Sequence, residues 1–352
     1  MRTFVTLDGL RGVAALSIVV LHCHRYFGDI GKPSAGLAVD LFFVLSGFVL
    51  AYAYEAKLPT GASAFLKARL VRLYPLYLLG TVLGIVEALA ILHTGLGSVE
   101  WTWQRFWISL PFSFAMLPGP DKTMFPFDGV MWSIFFELFI NVVWALFWKP
   151  LQSTRTLVLT IVSCGMGLAI SCLYWDSLTG LGTSWATVVG GGFRVGYSFF
   201  LGVLFFRFHR RWKLPKLPPL LLLLGLPAVL FLEMPVFGQL AAALFVLPWF
   251  VLLGSQVEPK GLLESAARNL GLASYAVYAI HKRLYLLTYG LVLKLGIDLA
   301  GYAPWIGIAF AFLLVVGCLA LNRIYDQPAR AWLAARIGAG RSQVLKGATQ
   351  AP

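Results

Sequence analysis

The stretch LDGLRGVAALSIVVLHCHRYF, residues 7–27, decides how this chain is read. From Leu10 to Phe27 it is apolar enough to sit in a bilayer, yet it carries Arg11 at its start and His22 eleven residues further on. Eleven steps of about 100° return a helix to roughly 20° from its starting direction, so both side chains share one face, about 16 Å apart. Ionisable groups at bilayer depth are costly and turn toward a polar cavity or a partner rather than toward lipid, so this helix is expected to line a site. The bland reading of His22 is a packing donor, but a shared face with an arginine favours the site. His24 points to another side of the helix, and Arg25 is placed to snorkel to the surface.

The rest of the chain puts that helix in a membrane protein. The 352 residues are 59% hydrophobic and 12% charged, with a mean hydropathy of +0.80. Soluble domains carry roughly 25% charged residues. Several apolar runs reach the roughly 20 residues that a spanning helix needs, and none alternates with the period of two of a transmembrane strand. The expected fold is an all-α polytopic bundle of about ten spans, at residues 10–27, 36–54, 74–93, 130–148, 156–174, 186–206, 217–232, 236–254, 271–293 and 303–324. The net charge of +13 is distributed unevenly: 19 basic residues fall on the side of the N-terminus, 4 on the other and 5 within spans. That asymmetry puts both termini in the cytoplasm and accounts for the basicity as topogenic, so no nucleic-acid partner is expected.

Cys23, Cys164, Cys172 and Cys318 all fall in expected spans with no zinc-site spacing, which points to packing rather than disulfides or a metal. The first span lacks a small-residue cleavage site and is expected to be retained. Residues 1–329 form the expected transmembrane domain, and 330–352 a basic cytoplasmic tail with a disordered end. No internal repeat is evident. One outer loop, Thr94 to Gly129, is about 35 residues long and is the expected lid or vestibule. Its Trp101, Trp103, Phe106, Trp107, Phe112, Phe114, Phe125 and Phe127 suit either an interfacial aromatic belt or a stacking platform for a sugar-like acceptor.

Polar residues inside spans supply the remaining candidates. In AVDLFFVLSGF, residues 38–48, Asp40 must be paired or protonated, unless it caps an interfacial helix end. Ser46 and Gly47 follow, the glycine allowing close backbone approach. In WSIFFELFINVVW, residues 132–144, Ser133, Glu137 and Asn141 recur at i, i+4 and i+8 as a polar seam. In SYAVYAIHKRLY, residues 274–285, Ser274, Tyr278, His281 and Tyr285 share a face in the same way. FLKARLVRLYPLY, residues 65–77, sets Lys67, Arg69 and Arg72 at the inner mouth of the third span, with Pro75 near its first turn. Those cations serve either as positive-inside anchors or as a dock for a phosphorylated molecule.

With these motifs in view, the chain resembles acyltransferase family 3, polytopic membrane acyltransferases that include sugar O-acetylases. LDGLRGVAALSIVVLH, AVDLFFVLSGF, RLVRLYPLY, WSIFFE, SYAVYAIH and the terminal YDQPAR carry the likeness over most of the chain. Leu138 and Gln327 stand where members commonly have acidic residues. The resemblance implies cytoplasmic acyl-CoA, commonly acetyl-CoA, as donor, a hydroxyl of a carbohydrate or lipid-linked saccharide as acceptor, and a multi-pass place in the inner membrane. It implies activity roles for Arg11, His22, Arg69, Arg72 and Glu137. The expected catalytic set is thus His22, Glu137 and Asp40, with His22 as general base and one of the carboxylates fixing its tautomer. Arg11, Arg69, Arg72, Tyr74 and Ser46 are expected to bind the donor, and Trp132, Asn141, Tyr278 and His281 the acceptor. No metal is expected, and homo-oligomerisation is left open. The rival reading is a proton-coupled transporter or flippase using the same buried His, Asp and Glu as a relay, which the missing inverted repeat disfavours.

Overall fold

The computed structural model describes residues 4–28, 34–95, 100–212, 214–296 and 299–338. Among these the regular structure is helical: α1 Val5–His22, α2 Ala38–Tyr54, α3 Leu58–Thr94, α4 Trp103–Phe114, α5 Met131–Leu146, α6 Thr154–Trp175, α7 Val188–Phe208, α8 Pro219–Leu230, α9 Val236–Gly254, α10 Leu262–Lys294, α11 Trp305–Leu321 and α12 Gln327–Arg336. Among the described residues, seven helical segments are long and apolar enough to cross a membrane. The three other expected spans fall on the shorter apolar helices α5 and α8 and on α10, whose 33 residues include Glu264, Arg268, Lys282, Arg283 and Lys294.

The bundle is held by close helix crossings and by buried ion pairs. α1 lies along α10, and α2 along α7. At the second crossing a Cβ added to Gly47 would lie 1.9 Å from the Phe199 carbonyl oxygen, and one added to Gly202 would lie 2.1 Å from that of Val44. Only glycine at both positions lets the backbones meet, as expected for Gly47. The first amides of α1 are capped from far along the chain, with Val5 N and Thr6 N donating to Glu258 Oε2 at 2.8 and 3.3 Å. The four cysteines are free.

Two expectations about helix extent are corrected. The helix that carries the span expected at residues 74–93 begins earlier: α3 runs from Leu58 through Pro75, with a non-helical kink at Gly61, so Arg69 and Arg72 lie well inside a 37-residue helix. Lys67 alone of the three cations is exposed, whereas Arg69 is 2% exposed. The long loop contains a 12-residue helix, α4, whose start is fixed by Thr102 Oγ1 accepting from Arg105 N at 3.1 Å. Its far end enters the bundle. Tyr77 OH and Tyr74 OH donate to the Ser113 and Phe114 carbonyls at 2.8 and 3.1 Å, satisfying acceptors that a helix C-terminus leaves open. The loop aromatics divide accordingly: Phe106 and Phe127 are buried against each other and Trp101, while Trp103, Trp107, Phe112 and Phe114 face outward. The tail boundary drawn at residue 330 falls within α12, and residues 339–352 lie outside the described residues.

Candidate functional site

α1, α2, α3, α5 and α10 enclose a cleft of about 600 Å³, counting its open mouth. Its walls are chiefly apolar, from Val39, Phe42, Phe43, Leu73 and Ile134. Into it project Arg11, Ser46, Arg69, Ser133, Glu137, Ser274, Tyr275 and Tyr278. An apolar pocket with a few convergent polar groups has the form of a small-molecule site.

The polar groups are organised in three sets. Glu137 Oε1 accepts from Ser46 Oγ at 2.5 Å and from Arg69 Nη2 at 2.8 Å, which joins α2, α3 and α5. Arg11 Nη2 contacts Asp8 Oδ1 at 2.7 Å and donates to the Gly271 carbonyl at 3.2 Å, while its Nε donates to Ser274 Oγ at 3.0 Å. Ser133 Oγ and Tyr278 OH lie 2.6 Å apart. The cleft ends at Tyr278, whose ring packs on Phe42 and lies 6.1 Å from the ring of His281.

Beyond Tyr278, His22 Nδ1 and His281 Nε2 are 2.8 Å apart, with ring planes 13° from parallel. His281 is wholly buried and His22 half-buried. The other nitrogen of His281, Nδ1, lies 2.8 Å from the Tyr278 carbonyl and 3.0 Å from that of Val277. Carbonyl oxygens only accept, so Nδ1 carries the hydrogen and Nε2 of the neutral ring is the acceptor. His22 must then donate from Nδ1. That assignment leaves the lone pair on His22 Nε2, where a general base needs it.

This arrangement corrects the expected partnership. Neither Glu137 nor Asp40 fixes the tautomer of His22; a second imidazole does. Asp40 is fully buried at the far side of α2, with its oxygens 2.8 and 2.7 Å from Arg194 Nε and Nη2. Arg194 donates also to the carbonyls of Gly36 and Thr179, so this pair ties α2 and α7 to their preceding connections. The cost of burying either charge alone is what brings them together. Trp132 packs beneath the Arg194 guanidinium at 5.3 Å, and Tyr74 is engaged by α4, so neither projects into the cleft. Asn141 is wholly buried, with both amide atoms lacking a hydrogen-bond partner. Arg72 stands one layer behind the cleft, its guanidinium 5.4 Å from the ring of Tyr275 and 3.6 Å from Asp326, which also pairs with Arg330.

Of the expected residues, Arg11, Ser46, Arg69, Glu137 and Tyr278 therefore meet in one cleft, and His22 and His281 meet at its end. Arg194 and Asp326 were not singled out. Asp8 and Arg330 were legible as charge pairs three and four residues from Arg11 and Asp326, but nothing local marked the match of Asp40 with Arg194. On α10, two residues beyond His281, Arg283 Nη1 and Nε lie 2.5 Å from Glu87 and 3.2 Å from Asp128. Burial pushes the Asp128 carboxyl up from its ordinary range, with Arg283 opposing.

The bundle thus holds a cleft lined by two arginines, with a pair of imidazoles just beyond its Tyr278 end. The chain belongs to acyltransferase family 3: the family model, described as an acyltransferase domain, matches residues 4–323. It is a membrane acyltransferase, transferring groups other than aminoacyl groups. Over 173 residues it is 39% identical to Protein 2 in picA locus of Rhizobium radiobacter, covering 46% of this chain and 90% of that protein. Over 180 residues it is 27% identical to Acyltransferase MdmB of Streptomyces mycarofaciens, covering 48% of this chain and 45% of that one. The chain thus spans less than half the length of MdmB. No solved structure matches it.

Proposed function

We propose that this enzyme moves an acyl group, acetyl in the simplest case, from cytoplasmic acyl-CoA to a hydroxyl of a carbohydrate or lipid-linked saccharide, from a multi-pass position in the inner membrane. The observation that carries this reading is the His22–His281 pair at the end of a cleft whose polar lining includes Arg11 and Arg69. In the proposed reaction the donor's anionic groups face these guanidiniums, which suit phosphate, and its thioester reaches the level of Tyr278. The acceptor oxygen attacks the thioester carbonyl as its proton passes to His22 Nε2. Throughout, the Nδ1–H of His22 stays on His22 and is hydrogen-bonded to His281 Nε2, while the Nδ1–H of His281 is held by the Tyr278 and Val277 carbonyls. Collapse of the tetrahedral adduct expels the CoA thiolate, which takes the proton back from Nε2. Catalysis here rests on a base placed in the right tautomer, an effect worth roughly 10²- to 10⁴-fold.

Arg69, Ser46 and Glu137 act as a unit in this reading. Glu137 balances Arg69 and fixes its direction, so that the cleft presents an oriented cation instead of a mobile one. Aromatic side chains of the outer connection, Trp103 and Trp107 among them, give a carbohydrate acceptor faces on which to stack.

The test is transfer of labelled acetyl from acetyl-CoA in proteoliposomes containing wild-type protein or His22→Gln at matched levels. Wild-type protein should esterify a saccharide acceptor, and His22→Gln should fall by at least about 10²-fold. Full turnover by His22→Gln removes the base. Solute movement without ester formation instead supports the proton-relay reading.

A further inference from the structure

α8 and the second half of α9 do not close against each other on the outside of the bundle. Between them runs an apolar groove walled by Leu217, Leu221 and Gly225 on one side and Phe245, Trp249 and Leu253 on the other, around about 760 Å³ of empty space that includes its open side. The π-turn Ala242–Val246 interrupts α9 at this wall, and Phe245 and Trp249 are exposed beside it. Such turns recur at functional sites, where one inserted residue redirects the side chains that follow.

What distinguishes this groove from ordinary lipid-facing surface is its rim. The groove ends at Leu217, next to the connection 209–218, HRRWKLPKLP, which contains no acidic residue. Arg210, Arg211 and Lys216 are exposed there, with Trp212 among them. The acid of the neighbouring α9–α10 connection, Glu258, is committed to the first amides of α1. Gln256 Nε2, three residues past Leu253 of the wall, donates to the His209 carbonyl at 2.8 Å and so holds this basic connection beside the groove; a cationic segment beside an apolar slot complements a molecule with an anionic head and an acyl chain, as basic pockets between helices recognise anionic lipid headgroups.

We propose that this groove is a binding site for an anionic phospholipid, one acyl chain lying between α8 and α9 and the headgroup phosphate among Arg210, Arg211 and Lys216. The site stands apart from the cleft and does not depend on the transfer reaction. Native mass spectrometry of the full-length protein in neutral detergent tests it, after incubation with phosphatidylglycerol or phosphatidylcholine of the same acyl chains. Wild-type protein should retain phosphatidylglycerol preferentially, and Arg210→Gln, Arg211→Gln and Lys216→Gln should each lower that retention roughly fivefold. Gly225→Trp puts an indole in the slot, where a new Cβ meets only the Phe250 ring at 3.6–3.7 Å, and should abolish retention; Leu221→Trp, at an exposed wall position, should do the same. Equal retention of the two lipids by wild-type protein overturns the proposal. So does retention that falls with the charge variants but survives both tryptophans, because the headgroup would then bind without the groove.

Discussion

Replacing His281 with phenylalanine isolates what the imidazole pair contributes. The substitution keeps an aromatic ring of similar size in a wholly buried position and removes the acceptor that His22 Nδ1 faces at 2.8 Å. In the resting enzyme that hydrogen bond joins two neutral rings and contributes about 1 kcal/mol, while a bond donated by a charged ring contributes about 1.5–3 kcal/mol. His22 becomes charged only as it takes the acceptor's proton, so the difference, about 0.5–2 kcal/mol, belongs to the transition state alone. It corresponds to a loss of roughly two- to thirtyfold in kcat, with KM for the donor little changed. Loss of tautomer control adds to this, up to the roughly 10²- to 10⁴-fold of removing the base altogether. His281→Gln offers an amide oxygen to the same hydrogen and should recover much of the rate. The assay is initial-rate acetyl transfer in proteoliposomes, with thermal unfolding measured in parallel to confirm that each variant is folded. If His281→Phe folds normally and turns over at the wild-type rate, His22 does not act through this pair.

Further outcomes follow from the buried polar contacts. Asp40→Asn and Arg194→Met should each lower stability by about 3–5 kcal/mol, since either leaves one charge uncompensated, whereas the double variant Asp40→Leu/Arg194→Met should regain most of it; scanning fluorimetry in detergent reads the three melting temperatures. Arg69→Gln and Glu137→Gln should couple non-additively in kcat/KM, by about 0.5–3 kcal/mol in a double-mutant cycle, because they share one contact. Gly47→Val forces α2 and α7 apart at the Phe199 carbonyl and should cost more than the usual 1–3 kcal/mol of overpacking, because the obstacle is backbone; the yield of folded protein from membranes measures it.

The Arg11–His22 spacing, the Ser133–Glu137 repeat and the Ser274–Tyr278–His281 repeat each described one helix face, and the residues of each do converge on the cleft or its end. The seam failed at Asn141, which continues the repeat but is buried outside the cleft lining. Periodicity states which side of a helix a residue occupies, not how far along its length the cavity extends. Pro75 stands elsewhere than expected: a proline is best tolerated in the first turn of a helix, whereas α3 begins at Leu58 and Pro75 lies in its interior.

The sequence by itself determined the class of molecule, its helical segments and the faces that carry polar groups, because hydropathy and the 3.6-residue repeat are local properties that a few consecutive residues express. Tertiary structure alone decided the partners. Arg69 meets Glu137 across 68 residues, Asp40 meets Arg194 across 154, and His22 meets His281 across 259. Desolvation requires that each buried ionised group find a counter-charge, but it does not say which one. That choice is made by the crossing geometry of the helices, and with it the choice of an imidazole in place of a carboxylate beside His22.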